Sequence, residues 1–225
     1  MRILIIGWKG GMGQRYRALL ENIGIDVVGI DSTLGTDLGF YNLNKTERSK
    51  LTGNGFTPLK DIKYDKAIIA TPTNTHYDEA VKLAILGKPF LCEKPVSKNP
   101  ADIDDIIGTC KITNTDARMV CNWAFTCDDR KWNAGGHEVF YDCYNTGRDG
   151  LHWDCIQLIY LAKNDRYKLN NKSPFFEATI DKQGITLQDI QWSYHRMLTA
   201  WIHTPEKLWD MEDAKKATEK VLGVL

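Results

Sequence analysis

Positive charge has no excess in this 225-residue sequence: Lys+Arg and Asp+Glu both number 29, and the formal net charge is zero. With no basic stripe to track a phosphate backbone, nucleic acid is excluded as the main partner. Long apolar runs are missing where they would signal export or anchoring. The opening MRILIIGWKGG carries Ile3 to Ile6 and then meets glycine. That run is too short for the core of a signal peptide and far too short to cross a bilayer. No membrane partner is expected, and the chain reads as cytoplasmic. The six cysteines (Cys92, Cys110, Cys121, Cys127, Cys143 and Cys155) include no C-x-x-C pair, and their gaps match no zinc site. No metal is expected, and the thiols read as reduced, small apolar fillers. Internal repeats and low-complexity tracts are absent as well.

What is present begins with an alternation of short apolar runs and amphipathic stretches through the first half. RILIIG, DVVGID, DKAIIATP and PFLCEKP read as buried strands, and GQRYRALLENIG as a helix closed by Gly24. Thr75 reads as the cap of a helix through HYDEAVKLAIL that stops at Gly87. Asn99-Pro100 opens a helix with Ile103, Ile106, Ile107 and Cys110 on one face. Continuous apolar strands alternating with helices mean an α/β fold, a doubly wound parallel sheet covered by helices. The polar stretch 32–54 carries no pattern that assigns it to an element.

After DARMVCNWAF the texture changes. HEVFYDCYN and PFFEATIDKQGITLQDI read as strands of an antiparallel type, the second with a Lys-Gln-Gly turn, and GLHWDCIQLIYLA between them reads as a helix. The closing MEDAKKATEKVLGVL sets Ala214, Ala217, Val221 and Leu222 on one face of a last helix. The expected division is a first domain over 1–118 and a small α+β domain with a reduced, mostly antiparallel sheet over 119–225.

GWKGGMG follows the first strand and opens the first helix. Gly7, Gly10 and Gly13, with Met12 before the last, form G-x-x-G-x-x-G, a variant of the dinucleotide fingerprint of Rossmann domains. A Cβ there would block the tight turn and the close approach of a pyrophosphate, and the helix N-terminus offers N–H groups to the phosphates. Asp31 ends the second strand, 18 residues after Gly13. At that place a carboxylate accepts hydrogen bonds from ribose hydroxyls and repels a 2′-phosphate. The cofactor is therefore NAD or NADP, with NAD favoured by Asp31 and Lys9 in the loop as a counterweight.

Between Ala70 and Pro95 the sequence reads ATPTNTHYDEAVKLAILGKPFLCEKP. The ordered set Thr71, Pro72, His76, Gly87, Lys88, Glu93, Lys94 and Pro95 closely resembles the Gfo/Idh/MocA family of sugar and polyol dehydrogenases. The resemblance implies a cofactor lying over the strand ends, with Thr71, Pro72, His76, Glu93 and Lys94 beside it and Lys94 also facing the substrate. A cation beside the reacting oxygen stabilises the alkoxide that develops as an alcohol is oxidised.

The family also carries an Asp-x-x-x-His pair on a helix of its second domain, the histidine moving the proton. In GRDGLHWDCIQLIYLA, His152 matches that histidine, Arg148 replaces the aspartate, and Asp149 stands three residues before His152. Neutral histidine is a competent base. His137, His195 and His203 have no such context and read as structural. VCNWAF resembles the first strand of the family's second domain: Asn122 fits it, whereas Trp123 and Ala124 stand where the family often has basic residues. Asn122 and Trp123 are the expected substrate contacts, with core packing the alternative for Trp123. The part after Ala117 is shorter than usual for the family, which leaves the family's homo-oligomer interface open. The expected activity is hydride transfer at a hydroxyl or keto carbon of a sugar, polyol or sugar nucleotide. An NAD(P)-binding sensor or partner subunit without turnover and an imine or tetrapyrrole reductase are the alternatives.

Overall fold

The computed structural model describes residues 1–32, 38–51, 59–125, 138–142, 168–169, 177–181 and 187–222. They fall into two compact units, Met1–Ser97 with Ala101–Met119, and Lys98–Pro100 with Val120–Leu225.

The first unit is built on a six-stranded sheet. Its strands are β1 (Arg2–Ile6), β2 (Asp26–Ser32), β3 (Leu38–Tyr41), β4 (Lys66–Ile69), β5 (Phe90–Cys92) and β6 (Ala117–Met119), in the order β3-β2-β1-β4-β5-β6. Every neighbouring pair is parallel except β2 and β3. Ile3 to Ile6, Val27, Val28, Ala67 to Ile69 and Phe90 to Cys92 are all buried, as strands covered on both faces must be. Helix α1 (Gly11–Asn22) packs on β1 and β2, and α3 (His76–Ile85) on β4 and β5. Helix α4 (Pro100–Thr113) buries the predicted stripe of Ile103, Ile106, Ile107 and Cys110.

Three local expectations are corrected. The stretch 32–54 holds β3 and α2 (Lys45–Leu51). Only residues 33–37 separate β2 from β3, too few for a parallel crossover, so β3 returns antiparallel, Gly29 opposite Tyr41. Asn44 and Glu47 cap α2 reciprocally, each side chain accepting the other's N–H at 2.9 and 3.0 Å. Thr75 does not cap α3 with its side chain; it belongs to a 3-10 turn over Thr73–Thr75, and its hydroxyl donates to Pro72 O at 2.9 Å.

In the second unit, β7 (Glu138–Asp142), β9 (Glu177–Asp181) and β8 (Lys168–Leu169) form an antiparallel sheet in that order. The third correction lies here: TLQDI is no strand, because α5 (Leu187–His203) takes its last four residues. Ile190, Tyr194, Met197, Leu198 and Trp201 recur at helical spacing, and Met197, Leu198 and Trp201 are buried. Helix α6 (Met211–Leu222) buries Ala214 and Ala217 as its pattern predicts and starts at a reciprocal cap between Asp210 and Asp213. The helical pattern of GLHWDCIQLIYLA lies outside the described residues.

Candidate functional site

Sheet register brings the site residues of the first unit into one row. Ile30 pairs with Ile6, Ile6 with Ile69, and Ile69 with Cys92. The next residues continue the ladder through Gly7 N–H to Ile30 O (2.9 Å), Ala70 N–H to Ile6 O (2.8 Å) and Glu93 N–H to Ile69 O (2.9 Å). Asp31, Gly7, Ala70 and Glu93 therefore stand side by side at the carboxyl ends of β2, β1, β4 and β5. Three strand spacings separate the outer two, ~14 Å. The strand order reverses between β1 and β4, the place where open α/β sheets bind their ligands.

The glycine loop sits at that reversal. Gly7 has φ +88°, and a Cβ on it would lie 2.7 Å from Ala70 O. A Cβ on Gly13 would lie 2.2 Å from Gly7 O, so only glycine lets α1 start against the end of β1. Gly10 is different: its nearest neighbour would be Gly7 O at 3.4 Å, and its outer side is open. No side chain caps α1 at Gly10 and no acid stands in its first turn. The first-turn N–H groups, Met12 among them, could thus take an anion without competition from a carboxylate in that turn. Asp31 Oδ2 accepts the Lys9 N–H at 2.9 Å, tying the loop to the end of β2.

Trp8 and Tyr41 extend this tie. Their rings meet with centroids 5.1 Å apart, and the Arg17 guanidinium lies over Tyr41 at 4.9 Å. Trp8 fills the space over Gly29, where a Cβ would come within 2.6 Å of its ring. The Tyr41 hydroxyl donates to Glu21, and that bond first, with desolvation, raises the phenol above its ordinary value. Sequence reading missed this cluster because its partners meet only through the β2–β3 hairpin.

On the other side of the reversal, Thr71 follows β4 with its Oγ1 buried and unpartnered, and Pro72 beside it is exposed. His76 is buried, 1% exposed, with Nδ1 2.7 Å from Pro95 O and Nε2 2.8 Å from Thr71 O. Carbonyls only accept, so each contact is a hydrogen bond when that nitrogen carries a proton. His76 thus acts on the site through the main chain at Thr71 and Pro95. The Lys94-Pro95 peptide bond is cis. Glu93 is buried; one of its oxygens accepts from the Tyr16 hydroxyl and the other from the Lys94 N–H at 3.0 Å. Lys94 itself is half-buried. Sequence reading missed Tyr16; its signal is that a tyrosine on the sheet-facing side of α1 has to find a polar partner.

The second-unit candidates are distributed differently. Asn122 is buried, and its amide donates to Ser193 Oγ at 3.3 Å on α5. Trp123 belongs to the 3-10 turn Asn122–Phe125, and His152 and Asp149 lie outside the described residues. Among the described residues no group of three or more His, Cys, Asp or Glu side chains could hold a metal ion. No helix among them is long and apolar enough to cross a membrane. Cys92, Cys110 and Cys121 are buried thiols outside any disulfide, and burial pushes the Cys110 thiol up to about 11.

These features fit a nicotinamide dinucleotide. The open flank of Gly10 and the uncapped start of α1 suit a pyrophosphate, Asp31 a ribose, and the orphaned Thr71 hydroxyl a further polar contact. Residues 1–119 match the family described as an oxidoreductase family with an NAD-binding Rossmann fold. The rhizopine catabolism protein MocA of Rhizobium meliloti is 30% identical over 102 residues, 42% of this chain and 29% of that protein. This chain therefore matches under a third of that relative's length. Two solved structures share the fold. One is an oxidoreductase from Agrobacterium radiobacter in complex with NAD+, L-tartaric acid and magnesium (TM-score 0.68, 13% identity, 99% of this chain and 94% of that one). The other is the WlbA dehydrogenase from Thermus thermophilus in complex with NAD and UDP-GlcNAcA (TM-score 0.63, 14% identity, 100% and 94%).

Proposed function

The chain belongs to the Gfo/Idh/MocA oxidoreductase family, and on that premise we propose that it oxidises or reduces a hydroxyl or keto carbon of a sugar, polyol or sugar nucleotide. When bound, NAD or NADP supplies the hydride chemistry. Residues 1–118 hold the cofactor in this reading and 119–225 the substrate. The observation that carries it is the row from Asp31 through Gly7 and Ala70 to Glu93, with Lys94 next in the chain.

Each side chain then has a task. The first-turn N–H groups of α1 and Gly10 bind the pyrophosphate, and Asp31 binds the adenosine ribose and disfavours a 2′-phosphate, so NAD is preferred. The Lys94 ammonium stabilises negative charge on the substrate oxygen. His152 takes or gives the proton, oriented by Asp149, and Asn122 and Trp123 contact the substrate. Lys94→Ala tests the assignment against a panel of sugars, polyols and sugar nucleotides, followed by nicotinamide absorbance. Turnover falls by roughly 10²–10³, the loss typical of removing one oxyanion donor, while NADH still binds. Undiminished turnover refutes the role of Lys94. Reaction of the unmodified protein only with an imine or a tetrapyrrole, added to that panel, would replace the substrate class.

A further inference from the structure

Tyr16 is a buried hydroxyl that the proposed chemistry leaves unused. It lies on α1 just past the glycine loop, is 0% exposed, and donates to Glu93 Oε1. Glu93 Oε2 accepts the Lys94 N–H at 3.0 Å. On the far side of Lys94, the carbonyl of Pro95 lies 2.7 Å from His76 Nδ1, which holds it in the Nδ1–H tautomer. Lys94 is thus a half-buried residue whose two chain neighbours are each anchored from a different helix, Glu93 from α1 and Pro95 from α3.

A buried carboxylate needs donors at its oxygens. The two oxygens of Glu93 belong to one planar group, so what holds one orients the other. Without the tyrosine hydroxyl, Oε1 turns toward another donor or admits water, and the bond from Oε2 to the Lys94 N–H turns with it. We propose that Tyr16 is a positioning residue that acts through Glu93 on the backbone of Lys94, and so sets where the Lys94 ammonium stands against the bound nicotinamide nucleotide. This rests on the reading of Lys94 given above.

The test uses the full chain, NADH as the only ligand, and acetylation of Lys94 by sulfosuccinimidyl acetate, read by peptide mass spectrometry. In the unmodified sequence NADH slows acetylation of Lys94. In Tyr16→Phe, which keeps the ring in the core, that protection falls roughly fivefold, the factor set by one net hydrogen bond, and by more than NADH affinity falls in a parallel titration. In a Glu93→Gln background the same substitution adds nothing, whereas a packing role would add equally in both backgrounds. Full protection in Tyr16→Phe, or additive effects, overturns the inference alone. Absence of NADH protection in the unmodified protein overturns the reading of Lys94 and the inference with it. Should Tyr16→Phe fail to fold, Glu93→Gln carries the test, and wild-type protection in that variant overturns the proposal.

Discussion

Alanine placed at three glycines of the one loop has three different outcomes. On Gly13 the added Cβ would stand 2.2 Å from Gly7 O, 2.6 Å from Trp8 Cα and 2.9 Å from Gly7 C, all main-chain atoms. To reach the 3.4 Å of ordinary contact, α1 must back away from the loop by about 1.2 Å. Such overpacking against backbone belongs at the upper end of the usual range, about 3 kcal/mol, which in a chain of this size lowers Tm by about 6–12 °C. Gly11 has nothing within 4 Å of its virtual Cβ, and Gly11→Ala stabilises by about 0.4–1 kcal/mol by restricting the unfolded chain. Gly10 has φ −65° and ψ 159°, open to alanine, with its closest contact at 3.4 Å. Gly10→Ala therefore leaves Tm within about 2 °C, but weakens NADH binding, because the methyl faces the proposed path of the pyrophosphate. Thermal unfolding and NADH titration of the three variants separate the cases. A Gly13→Ala protein that melts with Gly11→Ala would refute the packing of α1 on Gly7.

Further outcomes follow from the charged groups. Burial alone raises the Glu47 carboxyl, but hydrogen bonds from Arg2, Asn44 and Lys63 and the Arg2 charge outweigh it and hold it below the ordinary 4.5. A carboxyl lowered by folding adds stability that is complete above its unfolded value and is lost as pH falls through its folded one. Glu47→Gln therefore flattens the loss of stability below pH 4.5, and an acid limb parallel to that of the unmodified protein would refute the assignment. Asp31→Asn keeps an acceptor for the Lys9 N–H but removes the charge. The affinity ratio of NADPH to NADH rises roughly tenfold or more, as expected for about 1.4 kcal/mol of lost repulsion, and an unchanged ratio sinks the role of Asp31.

Much of the first unit was legible because its signals are local. Four buried strands declared themselves as continuous apolar runs, two of the helices by the glycines that close them, and α4 by its apolar stripe. The glycine spacing pointed to a dinucleotide loop before any contact was known. The antiparallel β3 was not legible, since the polar stretch 32–54 has no strong periodicity and its pairing depends on β2 lying alongside. The start of α5 was misread as strand because a short apolar-polar alternation in ITLQDI resembles one, and the helical repeat becomes clear only through Trp201.

The sequence by itself singled out the candidate residues of the first unit, because a glycine that must lack a Cβ, a carboxylate ending a strand, and Glu-Lys-Pro after an apolar run are properties of type and spacing. Tertiary structure decided how those residues are held. Tyr16 reaches Glu93 across 77 positions of chain, and the His76 ring lies between the carbonyls of Thr71 and Pro95. Such bonds form only when parallel strands align in register, and register comes from burial of whole strand faces, which no short stretch of sequence contains.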